Sequence, residues 1–160
     1  MPELLTGGAH GGLAEAAIGF HGKIPARGDF VQTGLPRSFI APWDAWMQRM
    51  LTASRAALGE GWAAAWREAA VWRFVLSPGI CGPKPVLGLF LPSVDRVGRY
   101  YPLTLAAVKA GGSAATLMEA GGGFLDAAEC AGRDALAQDL PPQALAARLA
   151  AAADAPSADP

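Results

Sequence analysis

Asp29, Arg73, Ser93 and Asp95 are the side chains here with the means for hydrolytic chemistry, provided the fold brings them together. Two carboxylates, a hydroxyl and a guanidinium in a pocket between loops could hold a small molecule or activate water, since acid-base work needs groups within hydrogen-bond reach. Little else in the chain supports catalysis. No G-x-S-x-G elbow occurs, and His21 is the only plausible base inside the expected fold. The stretch Gly79-Ile-Cys-Gly-Pro-Lys84 invites comparison with a phosphate-binding loop. Its glycine spacing is wrong, however, and Pro85 stands where such a loop carries a metal-binding Ser or Thr. Pro83 and Pro85 fix φ, so this stretch reads as a rigid turn. The two histidines, His10 and His21, the distant Cys81 and Cys130 and the lack of paired carboxylates give no metal-ligand spacing. Neither a metal nor a cofactor is expected. Arg27-Gly28-Asp29 spells an adhesive tripeptide, a combination common by chance, and no adhesive role is assigned to it.

The same polar residues fit a binding surface better. Lys23, Arg27, Asp29 and Phe30 fall in the Gly/Pro-rich stretch from Gly22 to Pro36, where a stiff backbone can present charge to a partner or to another loop. Ser93, Asp95, Arg96, Arg99 and Tyr100 fall between Pro92 and Pro102, mixing charge with the residue types favoured as interface anchors. The alternative use of this second loop is internal. Asp95 would pair with Arg96 or Arg99, joined by Arg73 or Asp29, and fix the two loops against the sheet.

The elements that must position these loops are legible from periodicity. Ile18 to Phe20 reads as a short strand. Trp43, Trp46, Met47, Met50, Leu51, Ser54 and Leu58 recur at three- and four-residue steps and predict an amphipathic helix, with Pro42 in its first turn and Gly59 closing it. A second, short helix carries Trp62 and Trp66. Val71 to Leu76, Val86 to Leu91 and Leu103 to Val108 read as strands of one sheet. Alternation in the first of these puts Trp72, Phe74 and Leu76 on one side, and Val71, Arg73 and Val75 on the other. Arg73 then needs a partner or water. Core packing is the default for Trp43, Trp46, Trp66 and Trp72, each worth roughly 5 kcal/mol of gross burial. For Trp62, beside Gly61 at a helix start, the sequence leaves both core and surface open. The alanine-rich remainder predicts helices over 113–120, 124–138 and 142–153, broken at Gly121-Gly122-Gly123 and Pro141-Pro142. Helices before and after a run of strands point to one α/β domain over 17–153, a central sheet with helices packed on both faces in an α/β/α sandwich. Residues 1–16 are expected to be a flexible lead-in, and 154–160 a frayed tail.

Composition narrows the function classes. With 52% hydrophobic and 17% charged residues the chain is globular in character, and its size suits one core. Thirteen basic residues scattered among fourteen acidic ones, for a net charge of −1, argue against nucleic acid as a partner. No apolar run reaches the roughly 20 residues of a membrane span, so no membrane insertion is expected. The N-terminus lacks the basic start and apolar stretch of a secretory signal, and two cysteines cannot build a disulfide framework. A cytoplasmic location with both thiols buried is the expectation.

Several blocks carry a more specific signal. Gly19-Phe-His-Gly-Lys-Ile-Pro-Ala-Arg-Gly-Asp-Phe30 comes first, then Gly34-Leu-Pro-Arg-Ser-Phe39 and Trp43-Asp-Ala-Trp46. Trp72-Arg-Phe74, Leu76-Ser-Pro-Gly79 and Cys81-Gly82 follow, and then Leu91-Pro-Ser-Val-Asp-Arg-Val-Gly-Arg-Tyr-Tyr-Pro-Leu-Thr104. In this order they resemble the TagF/ImpM family of proteins associated with bacterial type VI secretion. The resemblance covers residues 19–104 and extends in helical character to about 153. It implies a single α/β domain and a non-enzymatic, post-translational repressor of the secretion apparatus, acting by contact with the forkhead-associated (Fha) scaffold protein.

Overall fold

The computed structural model describes Leu13 and residues 15–156; most of the expected lead-in and the last four residues lie outside the described residues. Five antiparallel strands form one sheet: β1 (Ala17–Gly22), β2 (Val31–Thr33), β3 (Trp72–Leu76), β4 (Val86–Leu91) and β5 (Leu103–Val108), in the order β2-β1-β5-β4-β3. β5 is the centre of this sheet and all six of its residues are buried. A strand covered on both faces has no need of polar alternation, which is why Leu103 to Val108 is apolar at every position but Thr104.

The two faces carry separate cores. Leu103, Leu105 and Ala107 of β5, with Leu87, Leu89 and Leu91 of β4, point to one side. There they meet α3 (Ala114–Ala120), α4 (Gly122–Ala137) and α5 (Pro142–Ala152) through Leu117, Phe124, Ala128, Ala131, Leu145 and Leu149. The intervening residues Ala106 and Val108 point to the other side, toward α1 (Arg37–Leu58) and α2 (Trp62–Glu68), where Phe39, Trp43, Met47 and Leu51 bury the stripe seen in the sequence. The expected sandwich with helices on both faces is the observed architecture. Leu13 is itself buried in the first core.

The helix starts and stops show which local signals prevailed. Gly59 ends α1 with a positive φ of 50°, which its lack of a Cβ allows. Pro42, by contrast, is not in the first turn, because α1 begins five residues earlier at Arg37, behind Pro36 as N-cap. Pro42 has no N–H for the Ser38 carbonyl, and Gly82 packs against that carbonyl so closely that a methyl group there would lie 2.6 Å from it. β2 lies within the Gly22–Pro36 stretch expected to be loop, and its three residues are too few for alternation to show.

The triple glycine is a packing device. α3 ends at Ala120 and α4 starts at Gly122, so the break falls where the glycines put it. A Cβ on Gly121 would stand 1.9 Å from Leu87 Cδ2, and one on Gly123 would stand 2.3 Å from the Pro156 carbonyl oxygen. Leu87 is 1% exposed and cannot step aside. Gly121→Ala is therefore expected to cost about 1–3 kcal/mol by overpacking, read as a lower urea midpoint at unchanged m-value. A neutral result would mean that α3 is free to shift off β4.

Two tryptophans depart from expectation. Trp72 is 62% exposed, because it opens an edge strand beyond the reach of α1, and Trp46 is 41% exposed on the outer flank of α1. Trp62, left open by the sequence, is buried, stacked on Trp66 at 5.1 Å, covered by the Arg55 guanidinium and bonded through Nε1 to Ser54 Oγ at 2.9 Å. Cys81 is buried, and burial pushes its thiol pKa up, whereas Cys130 is exposed on α4.

Candidate functional site

The loop between β4 and β5 folds back on itself. Ser93 accepts a backbone bond from Tyr101 at 3.2 Å, Val94 bridges Tyr100, and the Asp95 amide bonds the Arg99 carbonyl at 3.0 Å, with Gly98 at φ of 87° in the turn. Because β1 pairs with β5 in the register His21↔Thr104, this small hairpin lies beside the segment that leaves β1. Sequence distance of about seventy residues is thereby closed.

Asp95 is the hub of the contact. It is 3% exposed, and its Oδ2 meets Lys23 Nζ at 3.1 Å and Arg99 Nε at 2.7 Å, while Oδ1 accepts the amides of Val97 and Arg99 at 3.0 and 2.9 Å. Burial works to raise the carboxyl pKa. The Arg99 amide and guanidinium and the Lys23 ammonium outweigh it and hold the group well below the usual carboxylate range. Ser93 Oγ donates to the Lys23 carbonyl at 2.6 Å. Arg96 donates through its guanidinium to the Ala26 carbonyl and through its amide to Arg27, and Arg99 reaches the Gly28 carbonyl. The two loops are zipped into one platform.

A second cluster braces it. Asp44 of α1 accepts from the Tyr101 hydroxyl, from Gln48 at 2.9 Å and, at 3.4 Å, from His21 Nε2. Burial, then the bond to Asp44, pushes the Tyr101 hydroxyl pKa well above its ordinary value. Phe30 packs on His21 at 5.7 Å and on Tyr101 at 4.8 Å, with the Lys23 ammonium 5.2 Å from its ring centre. Sequence reading did not connect Asp44 of α1 to Tyr101 of the second loop, because nothing local relates a helix residue to a loop residue 57 positions further along the chain.

The candidate side chains thus divide. Lys23, Ser93 and Asp95 are buried and committed to internal bonds, whereas Asp29, Phe30, Arg96 and Arg99 remain exposed on the rim and Arg27 is half-buried. Tyr100 turns the other way, edge-on to Trp62 at 5.2 Å. Val97, not singled out in the sequence, stands at the hairpin tip and is 68% exposed. Arg73 does not join Asp95 at all. It lies on β3 and pairs with Asp126 at 2.9 Å and Glu129 at 2.8 Å on α4, so the expected Asp95–Arg99 pair is joined by Lys23 and not by Arg73. Hydrogen bonds from Arg73 and then Arg133 lower the Glu129 pKa. The hydroxyl, carboxylates and guanidinium required for a hydrolytic pocket are not gathered in one place.

Residues 19–152 match the profile of the TagF N-terminal domain, described as type VI secretion system-associated. This chain belongs to the TagF family. Its fold is similar to the crystal structure of PA0076 from Pseudomonas aeruginosa PAO1, with a TM-score of 0.71 and 35% identity over 89% of this chain. That match takes in 64% of the PA0076 chain, so this TagF chain spans less than two thirds of its length. No curated protein matches. Three of the TagF-like blocks, at 19–30, 43–46 and 91–104, meet at the platform and its brace: the first supplies His21, Lys23 and Phe30, the second Asp44, and the third Ser93, Asp95 and Tyr101. No helix of the described residues is long and apolar enough to cross a membrane, and no cluster among them could hold a metal ion.

Proposed function

We propose that this TagF-family chain represses type VI secretion after translation, without catalysis, by binding the forkhead-associated scaffold in the cytoplasm through the platform formed by residues 23–30 and 93–102. One observation carries the reading: Ser93 and Asp95, which could do chemistry, are consumed in holding two loops rigid, and what the loops present outward is Phe30, Val97, Arg96, Arg99 and Asp29. A pre-ordered loop pair loses little entropy on association, and an apolar tip ringed by guanidinium groups is the composition of an interface anchor. The identity of the partner comes from the family resemblance.

Val97→Glu tests the surface without touching the fold, because the side chain has no internal role and is mostly exposed. Capture of the purified scaffold is expected to weaken at least about tenfold at unchanged melting temperature. Unchanged capture would remove the platform from the interface. Failure of the unaltered chain to capture the scaffold would remove the partner.

A further inference from the structure

The face of the sheet under α1 is left open at its outer edge. Between α1 and β3 runs a groove of about 770 Å³ whose walls include Trp43, Trp46, Met50, Trp72, Phe74 and Phe90. Trp72 and the neighbouring Ile80 are each 62% exposed, so a large apolar surface is held in water. β3 is an edge strand. It pairs with β4 alone, and among the described residues Trp72–Leu76 make no other backbone hydrogen bond. An unpaired strand edge beside an exposed apolar trough is ordinarily avoided or covered.

Charge says what covers it. The charged side chains lining the groove are both cations, Arg49 and Arg73. Arg73 is already met by Asp126 and Glu129, but Arg49 has no carboxylate partner among the described residues. A second copy of this chain, laid edge to edge, would offer this cation-lined groove only its equal.

We propose that the groove takes an extended, acidic-apolar segment of a partner protein as a sixth strand on β3. The strand's free amides and carbonyls supply the pairing, and its two-residue period supplies the specificity. Trp72, Phe74 and Leu76 face the groove, so alternate side chains of the incoming strand fall on that face, between the sheet and α1. These must be apolar, and a Glu or Asp at one position meets Arg49. The proposal rests on the reading of the chain as a protein-binding regulator, but not on the forkhead-associated scaffold or the loop platform. A failed scaffold capture therefore leaves it standing.

The test uses the full chain and a panel of synthetic nonapeptides. Each alternates valine and threonine between Gly-Ser flanks, with one glutamate stepped through the positions, and is titrated by fluorescence anisotropy with amide shifts mapped by NMR. At least one member is expected to bind, with shifts centred on β3 and α1. Arg49→Glu, an exposed change checked for intact fold by circular dichroism, should weaken that member at least about tenfold, and lysine in place of the peptide glutamate should restore it. N-methylation of alternate peptide amides should abolish binding by removing the strand pairing. No binding by any member up to about 1 mM overturns the proposal. So does equal binding of the N-methylated peptide, which would mark a non-specific apolar trough. Self-association abolished by Trp72→Ser would assign the edge to a second copy and overturn it as well.

Discussion

Trp43→Ala is expected to destabilise the fold by about 3–5 kcal/mol, a large fraction of the stability of a domain this size. Trp43 is 3% exposed and is the centre of an aromatic group, with ring centroids 4.5 Å from Phe74, 5.2 Å from Trp46, 5.5 Å from Phe39 and 5.9 Å from Phe90. Its Nε1 donates to Thr104 Oγ1 at 2.9 Å, and Thr104 is 1% exposed in the central strand. Truncation leaves a cavity bordered by rings that cannot all collapse into it, and strands a buried hydroxyl. Trp43→Phe separates these contributions. It keeps a ring in the cluster and loses only the bond and part of the volume, so about 1–3 kcal/mol is expected. Urea unfolding of both variants decides the matter. A loss below about 1 kcal/mol for alanine would mean that α1 is held by its flanks and not by this cluster.

Why Trp43 was legible in the sequence and Trp72 was not is a matter of what periodicity encodes. Spacing assigns a residue to a face, and both faces were read correctly: Trp43 with Met47 and Leu51 on α1, and Trp72 with Phe74 and Leu76 on β3. It does not say where the covering layer stops. β3 becomes an edge strand because of the strand order, set by pairings of β4 with β5 and β5 with β1 that have no local signature, and α1 does not extend over its first residue. The platform shows the same division. Its charged residues stood out as two Gly/Pro loops and the Asp95–Arg99 pair was among the expected ones, yet only the register of β1 on β5 adds Lys23 to it, where Arg73 or Asp29 was expected to join. Arg73 found Asp126 and Glu129, three apart on one face of α4, a pair visible only once α4, packed over β4 and β5, is known to lie within reach of β3. Pro42 misled for the opposite reason. The preference of proline for a first turn is statistical, and here proline is the sixth residue of the helix, with Gly82 packed close on the Ser38 carbonyl that it leaves without its helical partner.

Asp95→Asn is expected to lower the melting temperature by roughly 10 °C, because it leaves Lys23, 7% exposed, without its counter-charge and sets an amide where the Arg99 guanidinium wants a carboxylate. The pH dependence identifies the cause. The folded Asp95 pKa lies below its unfolded value, so between the two the unfolded chain binds the additional proton and stability rises with pH. The stabilisation is fully present above the unfolded value of about 4, and is lost as pH falls from there toward the depressed folded value. Glu129, also depressed, titrates in the same direction in both proteins and cancels in the comparison. The gap between wild type and variant should therefore be constant from about pH 7 to pH 5 and should narrow below about pH 4. A gap that stays constant down to pH 2 would show that the asparagine acts through shape alone, and that the ion pair with Lys23 and Arg99 does not hold the loops. If the pair does hold them, the variant should also capture the scaffold more weakly at neutral pH, although Asp95 is buried and cannot touch a partner. Val97→Glu would then weaken the same capture without moving the melting temperature. Agreement of these two variants in binding and their divergence in stability would separate the residues that order the platform from those that use it.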